Sequence, residues 1–356
     1  AERNKALGFW GAVGASGGTI GVLLGGILTD TIGWQWIFFI NVPMALAVLV
    51  AAPLVLDESF ARTHRKRFDV AGAATVTGGV ALLVYALVEA DGAGWGSTQT
   101  IGLLVAAGLL LVSFVAIERR SKAPLMPFSM FRIRTLTGAN VAGLALGASV
   151  FGMIFIVTLY MQQVLGYTPI EAGLGWLAMS VAALAASMLG AQVVTRVGPR
   201  LPITVGLTLA ALGLGLLSSI SAGGSYATDL LVGLLVFGVG LGLAFVAVQI
   251  GALNDVADKD AGLASGLINT MQQVGGALGV AVLSTIAISQ TGSLLGDGTP
   301  PPEALADGFS LALWAGAAFS LAGAAAASIL LRGQRGTAAE AGEISGPPEA
   351  KAEATR

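Results

Sequence analysis

Seven side-chain amides, Asn140, Gln162, Gln163, Gln249, Asn269, Gln272 and Gln273, lie in or at the edge of long apolar stretches of this 356-residue chain. An amide held in an apolar medium must find a partner, either a neighbouring segment or a guest in a wet cavity. Both readings stay open for these residues. Asn269 and Gln273 are four apart and share one helical face. Phe151, Met153, Phe155 and Tyr160 supply aromatic and polarizable surface suited to flat apolar compounds, although the same stripe also serves ordinary helix packing. Bond-making chemistry lacks its parts. There is no Cys, the one His (His64) sits in a basic run, and neither HExxH nor GxxxxGK[ST] occurs. The expectation is a protein that is not an enzyme and holds no metal or cofactor. Glu118 lies beside Arg119 and Arg120, where ion pairing is expected, and no ionisable residue falls at the middle of an apolar segment.

The elements that position these residues follow from composition. The chain is 55% hydrophobic and 11% charged, with a mean hydropathy of +0.83. Its apolar segments are about 20 residues long, enough to cross a hydrocarbon core of about 30 Å as helices. They are continuously apolar, whereas a membrane barrel needs short alternating strands. Ten spans are predicted, at about 6–28, 35–56, 70–90, 99–118, 136–161, 170–193, 201–221, 229–252, 262–288 and 309–331. The fold class is therefore an all-α, multi-pass membrane protein.

All 18 Lys and Arg fall at the ends of the chain or in every second connection, and the alternate connections have none. Basic connections stay in the cytoplasm, so the pattern predicts a cytoplasmic-membrane protein whose chain ends are both cytoplasmic. The runs Arg62–Arg67 and Arg119–Arg134 flank spans, which accounts for them by orientation and lipid headgroups without nucleic acid. The last connection is expected to be a Gly/Pro-rich loop around 292–307, and residues 334–356 a disordered tail.

Glycines at 8, 17, 21, 25 and 26 mark the opening segment, and Gly17, Gly21 and Gly25 are four apart. Small residues at that spacing let two membrane helices approach closely. Shifted by 258 residues, Gly8, Gly17, Gly18 and Gly21 fall on Gly266, Gly275, Gly276 and Gly279. The two copies lie eight spans apart. Parallel six-helix halves are a standard transporter design, so two spans stand between the halves here. If the opening span is the fifth of its half, four helices precede it and fourteen make up the whole.

The sequence resembles the fourteen-span drug:proton antiporters of the major facilitator superfamily. Gly8, Gly17, Gly21, Gly25 and Gly26 are similar to that superfamily's antiporter motif, with Val22 where the motif has proline. Gly33–Trp36 and Ile37–Pro43 are similar to the entry into the sixth helix, and Tyr160–Pro169 with Ala172–Leu174 to the end of the ninth. Gly190, Arg196, Gly198, Pro199 and Arg200 resemble a second copy of the cytoplasmic loop motif, with Thr195 where an acid is usual. Gly262–Gly279 is similar to the thirteenth helix.

The resemblance implies a major facilitator fold with ten of fourteen helices present. Residues 1–56 would end the N-terminal half, 57–134 would hold two central spans, and 135–333 would form the C-terminal half, followed by the 334–356 tail. It implies proton-coupled export of drugs or other amphipathic small molecules by alternating access, without a cofactor; the resemblance leaves the oligomeric state open, and a monomer in the bilayer is the expectation. One alternative is a dedicated exporter of a single metabolite such as an antibiotic or siderophore. The other is a truncated, non-transporting membrane module.

Overall fold

The computed structural model describes residues 17, 21, 23–55, 69–121, 124–257 and 260–331. Gly8, His64 and the 334–356 tail lie outside them. Among the described residues every regular element is helical, and nine helices are long and apolar enough to cross a membrane. The end of the opening span is a further helix, α1, over 23–31.

The remaining helices follow in order. They are α2 (Trp36–Val55), α3 (Val70–Ala93), α4 (Thr98–Arg120), α5 (Arg134–Val164), α6 (Pro169–Val197), α7 (Arg200–Leu217), α8 (Tyr226–Leu253), α9 (Ala261–Gly296) and α10 (Pro301–Leu330). Local chemistry sets several starts. Asp69 and Ser97 accept hydrogen bonds from Gly72 N and Thr100 N at the openings of α3 and α4. Thr168 and Glu171 form a reciprocal capping box before α6, with Pro169 at the first helical position.

The connection between α9 and α10 differs from the expected 292–307 loop, because helix continues to Gly296 and resumes at Pro301. Gly292 and Gly296 are tolerated inside a helix, Pro301 and Pro302 suit a first turn, and Thr291 Oγ1 donates to Ala304 O at 3.2 Å across the junction. At about 1.5 Å per residue, the 36 residues of α9 reach about 54 Å, well beyond the hydrocarbon core.

Helices α5 to α10 pack into one bundle, with α9 and α10 both against α5, and α6 and α7 both against α8. Glycine makes the closest seams. A Cβ at Gly147 would collide with the Gln272 carbonyl, and one at Gly275 or Gly279 with the Leu144 or Ala148 carbonyl. Gly206, Gly213 and Gly240 hold α7 against α8 in the same way, and Gly238 and Gly242 hold α8 against the Met179 and Ala183 carbonyls of α6. Where hydrophobicity cannot drive helix against helix, such backbone approach supplies the packing. Buried hydroxyls add polar ties. Ser320 Oγ donates to Ser149 Oγ at 2.7 Å between α10 and α5, and Ser187 Oγ lies 3.3 Å from Gly242 O between α6 and α8.

The contacts order the helix directions. Arg119, Arg120, Arg134, Arg196 and Arg200 lie at helix ends, and Arg132 just before α5, all on one side of the bundle, called here the basic end. The hairpin of α3 and α4 lies against α9, where Thr285 Oγ1 donates to Leu87 O at 3.2 Å. It both begins and ends at the basic end. Helix α2 buries none of its residues, and α1 meets the bundle at Gly26, against the Pro169 backbone.

Glu118 corrects the expected ion pair with its arginine neighbours. Its side chain turns inward, is 3% exposed, and accepts a hydrogen bond from Met126 N in the strap between α4 and α5. Arg119 lies instead over the Phe128 ring, 5.8 Å from its centroid. A carboxylate in reach of an unpaired backbone donor satisfies it more directly than a solvated arginine can.

Candidate substrate pathway

The polar residues inside the bundle gather on the seam of α5, α8 and α9. Gln249 of α8 and Gln272 of α9 are both buried, with Gln249 Nε2 donating to Gln272 Oε1 at 3.5 Å. Gln272 reaches this position because it packs on Gly143 and Gly147 of α5, where no side chain stands in its way. Asn140 lies on the same stripe of α5, three residues before Gly143 and seven before Gly147. It is 3% exposed. Its Nδ2 donates to Leu136 O at 2.8 Å, and its Oδ1 is buried without a partner. A buried unpaired acceptor is costly, by about 1–3 kcal/mol. The seam can therefore take a hydrogen-bond donor at Asn140 and exchange partners at the long Gln249–Gln272 contact.

The other expected pathway residues divide into four groups. Met153 and Tyr160 are fully buried in the apolar core away from the basic end, among Val157, Leu214, Leu230 and Phe237. Phe151 and Phe155 are partly exposed along α5, with the Phe151 ring closing over Gly276 of α9. Gln162 and Gln163 are exposed in a single π turn, Tyr160–Val164, that ends α5. Asn269 and Gln273 point away from the seam on an exposed face of α9 shared with Gly266, where a Cβ would meet open space. Asn269 Nδ2 donates only to its own helix, at Ser265 O, 3.0 Å away.

The loop-motif residues lie toward the basic end, with Gly190 about two turns inside α6. Gly190 packs against Leu243 of α8; Gly198 ends α6 with φ +78, a conformation that suits glycine, and Pro199 and Arg200 open α7. Arg196 and Arg200 are exposed.

Some residues of the site carried no motif. Thr135 Oγ1 lies 3.3 Å from Asn254 O and 3.2 Å from Asp255 Oδ2, tying α5 to α8 at the basic end. Tyr160 OH donates to Asp229 Oδ2 at 2.9 Å and ties the same helices at the other end. Gly143 and Gly147, four apart, follow the same spacing that marked the opening stretch and were legible by it.

The amino-acid sequence itself matches a known family pattern. That of the Major Facilitator Superfamily fits residues 1–280. The chain belongs to this superfamily. It is similar to the puromycin resistance protein of Streptomyces alboniger, 36% identical over 312 residues that cover 86% of this chain and 61% of that protein. The tetracenomycin C resistance and export protein of Streptomyces glaucescens is 36% identical over 297 residues, 83% of this chain and 55% of its own length. The multidrug resistance protein Stp of Mycobacterium tuberculosis is 36% identical over 285 residues, 80% and 52% of the two chains. This major facilitator chain thus spans a little over half the length of the curated relatives it matches.

Proposed function

We propose that the protein is the later part of a secondary active exporter that moves amphipathic small molecules outward by alternating access, driven by proton entry and without a bound cofactor. The observation that carries this reading is the buried amide seam of Asn140, Gln249 and Gln272, with one acceptor left unpaired, in a chain whose relatives are named for antibiotic resistance and export. In this reading α1 and α2 end the first half, α3 and α4 are central spans, and α5 to α10 form the second half. The basic end faces the cytoplasm of a bacterial inner membrane, by the distribution of Lys and Arg. Protons, small apolar or amphipathic molecules and lipid are the partners, and the working unit is a monomer.

Efflux tests it. Cells expressing the gene that encodes this chain should extrude ethidium and lose that ability when a protonophore collapses the gradient. Asn140→Ala should lower the rate without lowering the amount of protein in the membrane. Efflux that ignores both changes would reject the reading.

Two relatives are named for single compounds, puromycin and tetracenomycin C. That favours a second reading, export of one native antibiotic-like metabolite. A panel of unrelated dyes, none of them transported, together with resistance to one compound class would select it.

A further inference from the structure

We infer that Tyr160 and Asp229 form a clamp that closes α5 on α8 away from the basic end and positions the Gln162–Gln163 turn. The positioning role rests on reading those amides as part of the substrate pathway.

Two irregular turns meet at this point. Helix α5 ends in the π turn Tyr160–Val164, and α8 begins in another, Tyr226–Leu230. Such turns are rare, and each sacrifices regular hydrogen bonding. Here each places one residue toward the other helix. Tyr160 is fully buried, and its hydroxyl donates to Asp229 Oδ2 at 2.9 Å, with Ser221 O 2.8 Å away. Asp229 Oδ2 also accepts from Ser221 N at 3.0 Å, with Ser221 Oγ at 3.3 Å, and Asp229 Oδ1 accepts from Thr228 Oγ1 at 2.6 Å. One carboxylate thereby gathers the end of α5, the α7–α8 turn and the start of α8.

The surroundings keep this arrangement closed. A Cβ at Gly224 would collide with Asp229 Oδ2 and stand 2.7 Å from Tyr160 OH, so only glycine lets the turn lie over the pair. Tyr226, in the same π turn as Asp229, donates to Gly175 O at 2.7 Å, where α6 breaks at Trp176. On the α5 side Tyr167 N returns to Met161 O at 2.9 Å, folding the chain beyond Gln162 and Gln163 back onto the buried Met161. The two exposed amides therefore sit on a turn fixed on one side by Tyr160 and on the other by Met161.

The absence of Cys makes the clamp directly testable in the unaltered background. Val157 is fully buried on α5, three residues before Tyr160. In membrane vesicles containing the full chain, Val157→Cys should react slowly with a small maleimide. Adding Tyr160→Phe, which keeps the ring and removes the hydroxyl, should speed labelling about tenfold or more, as should Asp229→Ala. Asp229→Asn, whose amide oxygen still accepts, should stay near the slow rate. A buried cysteine at the basic end, Ala139→Cys, should be unaffected by Tyr160→Phe, and a spin label at Gln163→Cys should become more mobile. Unchanged labelling at 157, an equal rise at 139, or an unchanged spectrum at 163 would each overturn the clamp. None of these readouts needs transport, so they fail separately from the export reading, which rests on efflux.

Discussion

The same glycine spacing occurs twice in this protein, and the two copies are used differently. In α9, Gly275 and Gly279 meet the Leu144 and Ala148 carbonyls so closely that no side chain fits, and Gly276 lies under the Phe151 ring. At the opening, Gly17, Gly21 and Gly25 have open space where a Cβ would stand, and among the described glycines there only Gly26 touches the bundle. A small-residue stripe prepares a surface, and packing requires a complementary one. Helix α5 provides it, because Gly143, Gly147 and Gly152 return the approach from the other side. Even α9 is divided, since Gly266 shares an open face with Asn269 and Gln273.

The comparison can be broken most forcefully at its closed copy. Gly279→Leu should destabilise the α5–α9 seam by about 3 kcal/mol or more, seen as a collapse of the unfolding midpoint in detergent. Wild-type melting of that variant would mean the seam is not where packing resides. Gly147→Ala adds a single methyl group against the Gln272 carbonyl and should cost about 1–3 kcal/mol. Its melt should fall between those of Gly279→Leu and the parent.

Gln272→Leu changes polarity at the same seam with little change of volume. The loss should be about 1 kcal/mol or less, while ethidium efflux falls; a stability change without any efflux change would make the Gln249–Gln272 pair glue alone. Gly21→Leu should have the smallest effect on the melt, within about 0.5 kcal/mol, because its Cβ meets nothing. If the opening stretch lies where two halves close, that variant should still insert normally yet impair or uncouple transport. Full transport would leave Gly21 a residue of simple packing.

Much of the architecture was visible in the residues because a span needs a long apolar run, and such runs stand out one by one. The predicted segments 70–90 and 99–118 became Val70–Ala93 and Thr98–Arg120. The ends were harder. Around Gly292–Asp307 the glycines and prolines read as a loop, yet Gly292, Gly296, Pro301 and Pro302 fit the helix positions they occupy, and only 297–300 turn the chain. Glu118 was misleading because neighbours in sequence suggested charge pairing, while its partner, Met126 N, lies eight residues away across a bend. The clamp left no local trace at all. Tyr160 and Asp229 are separated by 69 positions, and only the antiparallel packing of α5 on α8 brings a phenol and a carboxylate together. The amides were recognisable as polar residues in apolar surroundings, but which of them turn inward depended on helix rotation. Asn140, Gln249 and Gln272 are enclosed; Asn269 and Gln273, on the far side of the same α9, are not.

The α3–α4 hairpin starts and finishes at the basic end and leans on α9. Two spans return the chain to the side of the bilayer from which it left, so parity is kept. A single added helix would turn every later segment upside down and carry Arg132, Arg134, Arg196 and Arg200 to the wrong face. Such a unit can enter or leave the chain only as a pair, and only in that form does it spare the orientation of everything downstream.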